Sequence, residues 1–121
     1  VTTTATFDLL GDHAITRNFS WRFSFRRLQP GKHPQNRQPV DLTGLTARLE
    51  IFDTQKARNT PHVFSTEHPL GEDGEVAFVL SGAETRSIPI TAARYRVVFS
   101  DPSGEQSVLL RGRLAVLEEK L

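Results

Sequence analysis

A period of two limits what this chain can fold into more than any other feature. Leu45, Ala47, Leu49 and Ile51 alternate with Thr46, Arg48, Glu50 and Phe52, the pattern of a strand with one face buried. Thr43-Gly44 stands just before it, and Gly44 can take a positive φ without a Cβ penalty, so the chain can turn sharply before pairing begins. The alternation recurs. Ala5, Phe7 and Leu9 share one face of a first strand over Thr4–Leu9. Phe19, Trp21, Phe23 and Phe25 alternate with Ser20, Arg22, Ser24 and Arg26, the strongest strand signal in the chain. Val76, Phe78 and Leu80 form another strand, Tyr95, Val97 and Phe99 a further one, and Val63-Phe64 a short one. A last strand over Gln106–Leu117 has Val108, Leu110, Leu114 and Val116 on one parity. Ser81 to Thr85 can start a single helical turn. About seven strands at short spacing, with turn signals between them, predict an all-β antiparallel β-sandwich. No repeat or linker divides residues 1–121, so one domain is expected.

The aromatic row has arginines between its members, as a nucleic-acid stacking platform has. Successive side chains on a strand point to opposite faces, however, so the aromatics face the core and the arginines face out. A net charge of +1 also argues against nucleic acid as the partner. The distribution is uneven: residues 13–66 carry nine Lys/Arg against three Asp/Glu, and residues 67–121 carry six against nine. Arg outnumbers Lys twelve to three, and its planar fork suits interfaces better than the lysine ammonium.

The chain has no Cys, which removes disulfides, thiol catalysis and Cys-ligated zinc and fits folding in a reducing cytoplasm. No apolar run approaches the ~18 residues of a membrane span and no signal-peptide pattern opens the chain, so no membrane partner is expected. His13, His33, His62 and His68 lack metal-ligand spacing, and Glu72, Asp73 and Glu75 around Gly74 lack the order of a calcium loop. There is no Gly-x-Ser-x-Gly and no phosphate-binding glycine loop. These patterns predict neither catalysis nor a cofactor.

Val40-Asp41-Leu42-Thr43-Gly44-Leu45-Thr46-Ala47-Arg48-Leu49 carries a resemblance that extends to Phe7-Asp8-Leu9, Asp73-Gly74, Glu84-Thr85, Asp101-Pro102-Ser103-Gly104 and Arg111-Gly112-Arg113. In these motifs the chain resembles tailed-phage structural proteins, notably the immunoglobulin-like N-terminal domain of baseplate upper proteins. The resemblance implies an immunoglobulin-like sandwich and a non-enzymatic role in the virion, assembled in the host bacterial cytoplasm. Its partners would be other virion proteins and copies of itself, held at the tail or baseplate. A capsid decoration protein and a carbohydrate-binding host-recognition module are the alternatives. Against the second, the only Trp and the only Tyr fall on core parities.

Two partner-contact regions are expected. The proline-rich stretch Gln29–Pro39 cannot pair regularly and would form a basic contact arm carrying Lys32 and Arg37. The last hairpin, if Tyr95, Val97 and Phe99 lie opposite Leu110, Val108 and Gln106 around a four-residue loop, has an outer face of Arg94 opposite Arg111 and Arg96 opposite Leu109, with Arg113 two residues on. Leu109, Ala115 and Leu117 would be its apolar part. Like charges across a sheet repel, so a carboxylate is expected among them, either Glu118 and Glu119 or a partner's.

Overall fold

The period-2 stretches do fold as strands. The structure, a computed structural model, describes residues 5–28, 38–53, 61–88 and 92–118. Its elements are β1 (Ala5–Thr6), a 3-10 turn (Gly11–His13), β2 (Ile15–Thr16), β3 (Trp21–Arg26), β4 (Thr46–Asp53), β5 (His62–Ser65), β6 (Glu75–Leu80), the short helix α1 (Gly82–Arg86), β7 (Ala92–Ser100) and β8 (Gln106–Leu117). The fold is all-β. The larger sheet has the order β1-β8-β7-β4-β5, with β2 also on β8, and β3 pairs with β6 in a two-stranded ribbon.

Inward rows from the two sheets share one core. Ala47, Leu49 and Ile51 of β4, Tyr95, Val97 and Phe99 of β7, and Leu110, Leu114 and Val116 of β8 are buried with Trp21 and Phe23 of β3 and Val76, Phe78 and Leu80 of β6. The Phe23 and Tyr95 rings meet edge to face, 5.9 Å between centroids, and join ribbon to sheet. The Trp21 indole N–H is satisfied by the His13 carbonyl at 3.1 Å. The turn before β4 also forms as expected, with Gly44 at φ 88°. Ser81 and Glu84 make a reciprocal capping box that starts α1.

The expectation of about seven antiparallel strands needs correction: the described residues form eight, and the larger sheet is mixed. The N-terminal segment runs parallel to β8, Ala5 opposite Leu110, Leu9 bridged to Leu114, and Ile15 opposite Val116. Alternation shows that a segment is extended but does not give the direction of its partner. The segment also leaves Ala5 and Phe7 exposed, and only Leu9 of the expected first row is buried. Phe19 is 52% exposed because it lies before β3 begins.

The last hairpin is corrected too. Ser100 pairs with Gln106, so the connection has five residues rather than four. Asp101 shapes it by accepting hydrogen bonds from the backbone N–H groups of Ser103 (3.0 Å) and Glu105 (2.9 Å). The register then shifts between Val97 and Val98, leaving Leu109 without a cross-strand partner. Instead of standing outward, Leu109 packs partly buried against the core. Beyond the shift, Arg96 faces Arg111 and Arg94 faces Arg113. The stretch carrying Lys32 and Arg37 lies outside the described residues, and the Leu28–Pro39 bridge closes its base.

Two substitutions test this packing. Trp21→Ala is expected to lower stability by ~3–5 kcal/mol, the range for emptying a core aromatic site, as read from urea denaturation. Gly112 lies under the Phe7 carbonyl, whose oxygen is 2.1 Å from where a Cβ would stand. Gly112→Ala should therefore displace the N-terminal segment at a cost of about 1–3 kcal/mol. The Phe7 and Leu9 amides, which donate to Arg111 and Arg113 carbonyls, should then exchange hydrogen faster while the β4–β7 amides keep their protection.

Candidate functional site

The register of three adjacent strands builds one charged surface on the outer face of the larger sheet. Across β4, β7 and β8, one row reads Phe52, Arg94, Arg113 and the next Glu50, Arg96, Arg111. A third row places Arg48 beside Val98 and Val108. An open groove of about 570 Å³ runs among Arg94, Arg96, Arg111, Arg113, Phe52 and Asp8. The hairpin correction therefore concentrates the charge: all four expected arginines come together, as two cross-strand pairs on neighbouring rows.

Two of the four carry a carboxylate from this chain. Glu50 accepts from Arg48 Nε at 2.7 Å and from Arg96 Nε at 2.5 Å, and its side chain is only 6% exposed. Arg96 also lies over the Phe52 ring, 5.0 Å from its centroid. Desolvation pushes the Glu50 carboxyl up, but the hydrogen bonds and charges of Arg48 and Arg96 outweigh it and hold the group below its ordinary value. At the β1 edge, Asp8 accepts from the Arg113 guanidinium at 2.9 and 3.2 Å and from the Arg113 backbone N–H at 3.0 Å. Those bonds, the side-chain ones first, lower the Asp8 carboxyl. The buried Tyr95 phenol donates to the Phe7 carbonyl. Burial, and then the charge of Asp8, push its pKa up, which keeps the donor protonated.

Arg94 and Arg111 are exposed and, among the described residues, have no carboxylate partner. Arg48 is fully engaged, reaching Ser100 and Gln106 besides Glu50. Guanidinium groups stay protonated at neutral pH, so this surface is suited to holding anions rather than moving protons.

Leu117 is exposed at the far end of β8, as expected. The acids nearest the array had not been expected there. Glu118 pairs with Arg17 instead, and Glu119 lies outside the described residues. Asp8 and Glu50 supply the charge, and only the parity of Glu50 hinted at it. No family model matches the chain, and no curated protein matches its sequence.

The lowered Glu50 carboxyl has a pH signature. Its ionised form stabilises the fold at neutral pH, and that contribution is lost as pH falls from the ordinary value of 4.5 through the lower folded value. Glu50→Gln is expected to lower stability by ~2 kcal/mol at neutral pH. The difference from wild type should shrink in urea melts taken well below pH 4.5.

Proposed function

We propose that this chain is a non-catalytic structural protein of a tailed-phage virion that holds tail or baseplate proteins together, with the arginine array as its docking face. One observation carries the docking part: two arginine pairs stand directly opposite on adjacent strands, and one member of each lacks a carboxylate among the described residues. Like charges across a sheet are unfavourable in the free domain, and an acidic partner surface relieves them. Val63, exposed beside Glu50 on β5, and Leu117 on β8 offer apolar contact at the margins. The assignment to a virion, and to an immunoglobulin-like sandwich in which the larger sheet faces the ribbon, is supported by the resemblance at Val40–Leu49 together with the shared two-sheet core. Partners in this reading are neighbouring virion proteins and further copies of this chain.

Replacing Arg94 and Arg111 together by Ser tests the docking face. Both side chains are exposed, so the melting temperature should be unchanged or slightly raised. Incorporation into particles, on co-expression with the neighbouring structural proteins of the same genome, should fall and become more sensitive to salt. Normal folding with normal incorporation and unchanged salt sensitivity would remove this face from the interface.

A further inference from the structure

The array already shows how it takes carboxylates. Asp8 Oδ2 accepts from both Nε and Nη2 of Arg113, and Glu50 is held between Arg48 and Arg96. Arg96 and Arg113 occupy one diagonal of the four-arginine block, and the other diagonal, Arg94 and Arg111, is unfilled by any described carboxylate. Diagonal neighbours on paired strands are about 7–8 Å apart. In an extended chain, side chains two residues apart project from the same face with a separation of about 7 Å.

Building on the proposed docking role, we infer that the partner presents an extended acidic segment with carboxylates at alternate positions, laid in the groove so that two successive ones fill Arg94 and Arg111. The groove's composition favours this occupant over a nucleic acid. Asp8 lines the groove beside Arg113, and Glu50, buried outside its lining, holds Arg96, so the two acids already occupy guanidinium groups that a continuous phosphate backbone would need. They leave room for carboxylates placed on the free diagonal, where each guanidinium offers a planar fork to a carboxylate. Phe52, half-buried in the row of Arg94, gives the segment's aliphatic stems an apolar floor.

The experiment uses two fluorescein-labelled peptides of about eleven residues, built from the same numbers of threonine and glutamate. One has glutamate at every second position of a central stretch, with threonine filling both ends. The other has it at every third, which sends successive carboxylates to opposite faces of a strand. Binding to the full chain is measured by fluorescence anisotropy at low salt. The alternating peptide should bind about tenfold more tightly than the other, and Arg94→Ser or Arg111→Ser should each weaken it about tenfold. Arg26→Ser, on β3 of the other sheet, should have no effect. Equal affinity for the two peptides, indifference to Arg94 and Arg111, or tighter binding of a single-stranded DNA oligonucleotide of matched charge would each overturn the inference. If the alternating peptide fails while the double variant still loses incorporation, the docking face stands and the extended acidic partner falls. If the peptide binds as expected while that variant assembles normally, the acidic-segment site stands and its use as the docking face in the particle falls.

Discussion

The pairing of β7 with β8 sets both faces of the larger sheet at once, because a slip of one residue exchanges the inward and outward sets. Inward, it brings Tyr95 over Gly112 and Val97 beside Leu110. Outward, it sets Arg94 and Arg96 against Arg113 and Arg111. The shift at Val97/Val98 reconciles two demands that one uniform register could not meet. The Asp101 turn dictates where the hairpin closes, and the core dictates where Leu110 and Leu114 must point. Leu109 absorbs the difference by leaving the ladder and packing inward.

The outward face then has an electrostatic problem that the chain solves only in part. Glu50 is buried, and a lone buried carboxylate would be costly. Two guanidinium groups hold it ionised, and it in turn holds Arg48 and Arg96 in place. That exchange explains why charge persists at the middle of a sheet where an apolar residue would otherwise suit the burial. No equivalent acid reaches Arg94 or Arg111 among the described residues. An array with half its charges matched and the other half exposed is poorly suited to a free domain and well suited to a partner of opposite sign.

Local alternation was enough to place β3, β4, β6, β7 and β8 and most of their buried residues, because burial of one face imposes a period that any partner strand must respect. It did not reveal what depends on the partner. Ala5, Phe7 and Leu9 look like one row, yet the segment escorts β8 in parallel, so two of its three apolar residues stay outside the core. At the site, the four arginines were readable from their parity. Their pairing was not, since it turns on an Asp101-centred loop and a one-residue bulge. Asp8 lies 105 residues from Arg113 in the chain, and Glu50 meets Arg96 across 46. Contacts of that range leave no local periodicity.

The N-terminal segment ties the core to the array. Parallel pairing along β8 covers an edge that would otherwise offer unpaired backbone groups to other chains. Gly112 lets the Phe7 carbonyl approach close enough for the Tyr95 phenol to reach it from within the core. That anchor places the next residue, Asp8, where it takes both the backbone N–H and the guanidinium of Arg113. One glycine thus links a buried ring to a surface charge. If the segment lifted from β8, Arg113 would lose its carboxylate and three of the four arginines would be unmatched by any described carboxylate, rather than two. Any affinity of the array for an anion is therefore coupled to the seating of the first strand, and a ligand that competes with Asp8 for Arg113 would loosen the segment by as much as the segment resists the ligand.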